Sequence, residues 1–188
     1  MLRQLTAGQF LDQRFDLPEA GQWAELVEGI PICFQPPDLD HGNALLNLSK
    51  ALAQFIQQSD RGYACFDLGL LVARNPDTIR FPAVSYFVEG PRFAESDKPF
   101  TETIPALIVD MSSTGDRREQ MPGRVAQYLA WGVCSVWVVD SRARTVDVTR
   151  AGAESLRLSG PETLHGGSEL AGFAVRVAAL FAEPEWWR

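Results

Sequence analysis

Residues 105–140, PALIVDMSSTGDRREQMPGRVAQYLAWGVCSVWVVD, decide the fold of this chain. The stretch begins with an apolar run that ends in Asp110, continues through a polar segment and a helical pattern, and closes with a second apolar run. Apolar runs of this kind are typical of strands that are buried on both faces of a sheet. An ionised carboxylate is costly to bury without a partner, so Asp110 predicts a specific role at the end of the first strand.

Pro122 limits where the helix between the two strands can begin. Proline is tolerated in the first turn of a helix but breaks its interior, so we predict a helix start near Met121. Val125, Tyr128 and Leu129 would then face the sheet, because they recur at helical spacing.

Outward from this stretch, the patterns alternate between helices and strands. Residues 63–73 and 78–88 predict two strands joined by a turn at Asn75-Pro76-Asp77, most simply an antiparallel hairpin. The loop at 36–43 precedes a helix over 43–57, with Asp40 or Asn43 as its cap. Before this region, we predict a helix over 6–16 that stops near Pro18. Residues from 23 predict a helix end or a strand, then a turn at Glu28-Gly29 and a strand to 34. After residue 140, we predict a hairpin over 144–158 and a strand or extended tail over 173–181.

This mixed order predicts an α/β fold with a mixed central sheet flanked by helices. With 188 residues, the chain is long enough for one domain with a substantial core. The net charge of -7 argues against broad nonspecific binding of nucleic acid, although a compact basic strip can lie on an acidic protein.

The cysteines and the hydropathy indicate the cellular compartment in which the protein is expected. Cys33, Cys65 and Cys134 are odd in number and far apart, so we expect free buried thiols in a reducing cytoplasm. No stretch reaches the length of a membrane span, and the first residues lack a secretory signal pattern, so we expect no membrane partner.

A series of short motifs occurs in order along the chain. The motifs are ELVEG at 25–29, His41 ahead of a helix, TIRFP at 78–82, PALIVDMSS at 105–113, QYLAWGV at 127–133 and VWVVD at 136–140. This series resembles the Uma-two family, a large bacterial group of restriction-endonuclease-like proteins with the PD-(D/E)xK nuclease fold. The resemblance runs from about residue 23 to 173 and implies one restriction-endonuclease-like domain at 1–188, with DNA as a possible partner, Mg²⁺ as a possible cofactor and a possible homodimer.

The resemblance implies a catalytic site made of two strand carboxylates, a glutamate of the ELVEG motif and a helix lysine. The glutamate is Glu25. The strand carboxylates would hold Mg²⁺, a hard cation that needs oxygen ligands, and the metal would activate a water for attack on phosphorus. The lysine would orient the water or neutralise the phosphate.

This sequence departs from that pattern at three positions. The aspartate expected after Pro82 is Ala83, whose side chain carries no ligand atom. The strand-end glutamate is Asp110, one methylene shorter, and the helix lysine is Arg124, which keeps the charge but cannot release its proton. We therefore expect an endonuclease-like protein with an impaired site in which Glu25 and Asp110 are the metal ligands and Arg124 completes the catalytic set. The alternative is a noncatalytic binding or interaction module that keeps the nuclease fold.

Other polar residues leave alternatives open. His41, Arg117 and Arg118 are candidates for substrate binding. Alternatively, His41 is a loop or capping residue, and the two arginines form a solvated run of charges with Glu119. Asp110 could instead accept a hydrogen bond from a nearby backbone N–H, and Glu25 could simply be paired with an arginine. Asp67 is a candidate replacement ligand, Asp77 belongs to a turn, His165 to a loop, and Trp186 and Trp187 would pack on the body or on a partner subunit.

Two arrangements would distinguish an enzyme from a binding module. A carboxylate from elsewhere, such as Asp67 or Glu25, placed beside Asp110 around a divalent ion would favour the enzyme. A site blocked by side chains, with Arg124 paired to Asp110, would favour the module.

Overall fold

Two larger β-sheets, one small sheet and four α-helices make up the part of the chain that this computed structural model describes, residues 4–17 and 23–184. The helices are α1 Ala7–Gln13, α2 Leu39–Ser59, α3 Gly115–Trp131 and α4 Val177–Leu180. The strands are β1 Ala24–Val27, β2 Ile30–Cys33, β3 Tyr63–Phe66, β4 Gly69–Ala73, β5 Thr78–Arg80, β6 Val84–Phe87, β7 Phe100–Thr101, β8 Leu107–Met111, β9 Ser135–Asp140, β10 Thr145–Arg150, β11 Leu156–Ser159, β12 Thr163–His165 and β13 Ala174–Arg176.

The first sheet has six strands in the order β11-β10-β9-β8-β6-β3, and the second has five in the order β2-β1-β5-β4-β7. Strands β8 and β9 run parallel, as do β4 and β7, and the other pairs in both sheets are antiparallel. The predicted α/β class with a mixed sheet and flanking helices is confirmed. The structure differs from the prediction in one respect: most strands are divided between two larger sheets and do not form a single central one.

The alternation of side chains along β8 builds the two faces of the six-stranded sheet. Val109 packs in one cluster with Leu48 and Leu52 of α2, whereas Ile108 packs in another with Tyr128 of α3. Because successive strand residues point to opposite faces, Asp110 shares the face of Ile108, on the side of α3. The sheet therefore directs this carboxylate towards the helix.

Two predicted strands are each divided between the two sheets. The run at 63–73 forms β3 and β4, which separate near Asp67, a residue with a positive φ of 49°. The run at 78–88 forms β5 and β6, which separate at 81–83. The antiparallel pairing is as predicted, since β3 pairs with β6 and β4 with β5, but a single continuous hairpin is wrong.

Helix α2 begins four residues before the predicted start. Asp38 is its N-cap, because its side chain accepts a 3.0 Å hydrogen bond from the backbone N–H of His41. Asp40 lies in the first turn, and Asn43 is buried within the helix and donates to the carbonyl oxygen of Ala182 at 2.9 Å. The predicted caps and the placement of His41 in a loop are therefore wrong.

Helix α3 begins at Gly115, so the predicted start near Met121 is wrong. Asp116 in the first turn accepts hydrogen bonds of 2.8 Å from the backbone N–H groups of Arg117 and Gln35. These bonds anchor the helix start ahead of Pro122, which lies inside the helix. A proline signal alone does not reveal such an anchor, because one of its donors is 81 residues away in sequence.

The remaining elements largely follow the patterns. Helix α1 with a 3-10 turn at Arg14–Asp16, the β1–β2 hairpin and the β10–β11 hairpin are confirmed, and the last predicted strand is β13 followed by α4. The cysteines are free, but only Cys65 is buried, so buried positions for the other two are wrong. Pro18, Trp186 and Trp187 lie outside the described residues. Over the residues that are described, none of the helices is both long and apolar enough to cross a membrane.

The observed cap of α2, Asp38, can be tested against the predicted cap, Asp40. We expect Asp38→Ala to lower the free energy of unfolding by about 1 kcal/mol, because the backbone N–H of His41, in the first turn of α2, loses its acceptor. Asp40→Ala is the matched control and should change stability by no more than a few tenths of a kcal/mol. Urea unfolding of both variants measures the difference, and equal effects would contradict the assignment of Asp38 as the cap.

Candidate functional site

Glu25, Asp110 and Arg124 meet in the interior, although they come from three separate elements. Glu25 lies in β1 of the five-stranded sheet, Asp110 in β8 of the six-stranded sheet, and Arg124 in α3. The three side chains are at most 1% exposed. Charged groups are seldom this deeply buried unless they are paired.

The guanidinium of Arg124 lies between the two carboxylates and binds both. Its Nε donates to Oδ2 of Asp110 at 2.8 Å, and its Nη2 donates to Oε1 of Glu25 at 2.9 Å. Nη1 forms a further hydrogen bond to Oε2 of Glu25. This forked arrangement uses the planar geometry that distinguishes arginine from lysine.

Additional donors complete the hydrogen bonding of the two carboxylates. Arg80 Nη1 and the backbone N–H of Phe81 donate to Glu25 at 3.1 and 3.0 Å. Tyr128 Oη and the backbone N–H of Met111 donate to Asp110 at 3.0 and 2.9 Å. We call Glu25, Arg80, Asp110, Arg124 and Tyr128 the arginine cluster.

The electrostatics of the arginine cluster fix the charges of Glu25, Arg124 and Tyr128. Burial alone would raise the pKa of Glu25, but attraction to Arg124, with smaller contributions from Arg117 and Arg80, lowers it from 4.5 to about 2. Burial opposes the charge of Arg124, yet Asp110 and Glu25 hold its pKa well above the usual value. Burial raises the pKa of Tyr128, so its hydroxyl remains protonated and able to donate.

A cavity of about 200 Å³ adjoins the arginine cluster. Ala83 and Asp110 both line it, as expected for residues one step beyond the antiparallel pair Val84–Val109. An aspartate at position 83 would therefore face the same space as Asp110. The rest of the wall is mainly apolar and aromatic, with Trp23, Leu45, Phe66 and Phe81 among its residues.

The predicted substrate-binding residues are only partly brought together. Arg117 and His41 line the cavity, and His41 Nδ1 lies 2.9 Å from Ser113 Oγ. Arg118, in contrast, points elsewhere: it binds both carboxylate oxygens of Asp140, at 3.1 and 3.2 Å, and the carbonyl oxygen of Ser112. The charge run is therefore the first turns of α3, whose neighbouring arginines point in different directions.

The other acidic candidates have local partners. Asp67 lines the cavity and its Oδ1 lies 3.8 Å from Nη2 of Arg14. Asp77 accepts a 2.8 Å hydrogen bond from the backbone N–H of Ala7 at the start of α1, which agrees with a structural role for that turn. Neither carboxylate belongs to the arginine cluster.

Sequence reasoning missed Arg80 and Tyr128 as site residues. Tyr128 lies four residues after Arg124 in α3, so the two share a helix face, and this spacing was a usable signal. Arg80 belongs to the TIRFP motif, but nothing in its local sequence indicates a partner 55 residues away.

The residues present do not fit a Mg²⁺ site. Mg²⁺ needs several oxygen ligands in a near-octahedral arrangement, and Ala83 supplies none. Oxygens of Glu25 and Asp110 are bound by the Arg124 cation, and Arg117 lies 3.7 to 3.8 Å from both. Among residues 4–17 and 23–184, no group of three or more His, Cys, Asp or Glu side chains is arranged to hold a metal ion.

A comparison with solved structures finds a protein of the same fold. A crystal structure described as that of a putative nuclease belonging to DUF820 from Anabaena variabilis superposes with a TM-score of 0.73 at 19% sequence identity, covering 91% of this chain and 96% of that chain. At this identity the likeness concerns the fold. No curated protein is similar enough in sequence to count as a match.

The sequence itself fits one family. The model of the family described as "Putative restriction endonuclease", Uma2, matches residues 11–178. The chain therefore belongs to the Uma2 family, and the resemblance identified from the sequence is confirmed.

The depressed pKa of Glu25 predicts a pH dependence of stability. Because the folded pKa of about 2 lies below the ordinary value of 4.5, ionised Glu25 stabilises the fold above about pH 5, and this contribution is lost as the pH falls towards 2. We expect a contribution of about 3 kcal/mol at neutral pH, of which about 2 kcal/mol is lost between pH 6 and pH 3.

Urea unfolding of the native protein and of Glu25→Gln over this pH range measures that contribution. The stability difference between the two proteins should shrink on acidification, because glutamine does not titrate. Glu102→Gln is the control, since Glu102 pairs with Arg74 at the surface, where such pairs contribute little. Parallel stability curves for the native protein and Glu25→Gln would contradict the assignment.

Proposed function

We propose that this chain is a nuclease-family protein whose Mg²⁺-dependent catalysis is impaired, and that it acts as a noncatalytic binding module on the nuclease fold. The observation that carries the proposal is the guanidinium of Arg124 bound between Glu25 and Asp110. In the family resemblance, Asp110 stands at one of the two strand positions that would hold Mg²⁺, and Glu25 is the further carboxylate of the same site.

The charge balance supports this proposal. A divalent cation between Glu25 and Asp110 would have to displace Arg124, or sit within a few ångströms of it, where repulsion in a buried environment is strong. Displacing the guanidinium would also leave a third buried charge without its partners, and breaking a buried pair in this way costs about 3–5 kcal/mol. A cation held by two carboxylates does not easily meet that cost, because Ala83 offers no further ligand.

Arginine also differs from lysine in the chemistry it allows. The family resemblance assigns the helix position to a lysine that orients the attacking water or neutralises phosphate. Arg124 remains protonated, and its donors are directed at Asp110, Glu25 and Tyr128. We therefore propose that Glu25, Asp110 and Arg124 are a structural ion cluster at the former catalytic position, with Arg124 as an organiser of the site.

Restoring the family pattern tests the proposal. We expect weak or undetectable Mn²⁺ binding by calorimetry in the native protein and in Ala83→Asp, because Arg124 still occupies the carboxylates. The double variant Ala83→Asp with Arg124→Lys should bind Mn²⁺ at least about tenfold more tightly, since it regains a ligand and a shorter, movable cation. Arg118→Lys is the matched control for an arginine-to-lysine change in the same helix.

Tight stoichiometric Mn²⁺ binding by the native protein, abolished in Asp110→Ala, would contradict the proposal and favour a working metal site. Unchanged Mn²⁺ affinity in the double variant would instead contradict the assignment of position 83 as a lost metal ligand. Because family membership favours DNA as the macromolecule to examine, cleavage of supercoiled plasmid with Mg²⁺ provides a second readout. We expect the native protein to cleave the plasmid no faster than the Asp110→Ala variant does.

A further inference from the structure

Arg117 lines the cavity next to the arginine cluster. Its guanidinium Nη1 lies 3.8 Å from Glu25 Oε1 and 3.7 Å from Asp110 Oδ1, both beyond hydrogen-bond distance. Its side chain is 11% exposed and lines the cavity, with its guanidinium carbon 4.5 Å from the centre of the Phe34 ring. Within the described ranges its guanidinium donates no hydrogen bond, so its donors are available to a molecule in the cavity.

Arg117 and the charged groups around it together carry one positive charge in excess. Arg80, Arg117 and Arg124 surround two carboxylates, Glu25 and Asp110. The remaining acidic side chain of the wall, Asp67, has Arg14 as a counter-charge. Burial and the neighbouring Arg117 lower the pKa of His41, so this ring adds no charge at neutral pH. A net positive charge in a partly buried wall attracts an anion more strongly than it would in water.

The shape and the walls restrict what kind of anion fits. The volume of about 200 Å³ is below the range of ordinary drug-sized pockets, so the occupant has about one ring. Trp23, Phe66 and Phe81 provide aromatic surface, and Ala83 leaves the part of the wall beside Asp110 small and uncharged. A planar aromatic ring fits such walls, with its anionic group on Arg117.

We propose that this cavity binds a small aromatic anion, with a carboxylate or phosphate group held by Arg117 and the ring packed against the aromatic wall. This inference rests on the proposed function, because a metal-free site leaves the cavity open to an organic ligand. The noncatalytic module would then bind small aromatic anions, and Arg117 would determine its specificity for a negatively charged ligand.

The test uses 4-fluorobenzoate and phenyl phosphate as probes, with the neutral 4-fluorobenzamide as the matched comparison, in buffer containing EDTA. Affinities come from calorimetry and, for the fluorinated probes, from fluorine NMR line broadening. We expect at least one anionic probe to bind at least about tenfold more tightly than the amide, because only an anion forms a charge-assisted pair with Arg117. The ratio of the two anionic affinities then distinguishes a carboxylate from a phosphate ligand.

Two variants locate the binding. Arg117→Gln should lower the affinity of the tighter anion about tenfold or more, and Ala83→Asp should do the same by adding a negative charge and volume to the cavity wall. Arg118→Gln is the control, because its guanidinium binds Asp140 and lies outside the cavity wall. Thermal unfolding checks each variant, and Ala83→Asp keeps the proposal testable if Arg117→Gln does not fold.

Three results would overturn the proposal: equal affinity for 4-fluorobenzoate, phenyl phosphate and the amide, no binding of any probe, or unchanged anion affinity in a folded Arg117→Gln or Ala83→Asp variant. These results leave the proposed function standing, because that depends on Mn²⁺ binding. Conversely, tight Mn²⁺ binding by the native protein would contradict the proposed function whatever the aromatic probes do.

Discussion

The guanidinium of Arg124 joins three parts of the molecule through direct hydrogen bonds. It binds Glu25 from the five-stranded sheet and Asp110 from the six-stranded sheet, and it belongs to α3, which packs on the second of these. A buried ion cluster adds little net stability compared with apolar packing, but losing one partner is severe. The relative position of the sheets and the helix is therefore sensitive to this one side chain.

The fold was largely predictable because its strongest signals are local. Apolar runs gave β8 and β9, and alternation with turn residues gave the hairpins, since these depend on neighbouring residues. The errors occurred where distant groups decide the outcome. The start of α3 depends on a bond from Gln35 to Asp116, and the division of two strand runs between sheets depends on pairings that periodicity alone does not reveal.

The candidate site was predictable in its positions but not in its contacts. The ordered motifs pointed to Glu25, Ala83, Asp110 and Arg124, and the structure brings these residues around one point. Which of Arg117 and Arg118 faces that point depends on the 100° rotation between successive helix residues and on where the helix begins. Since the predicted helix start was six residues late, the sequence offered no means of separating them.

The two places where the strand runs change sheets also form part of the cavity wall. Phe66 and Asp67 come from the first junction, Phe81 and Ala83 from the second, and neither junction is a regular strand over its full length. Insertions or substitutions there would change the size of the cavity. The size of this cavity is therefore set by two short connectors, while the strands on either side of them are held by their own pairing.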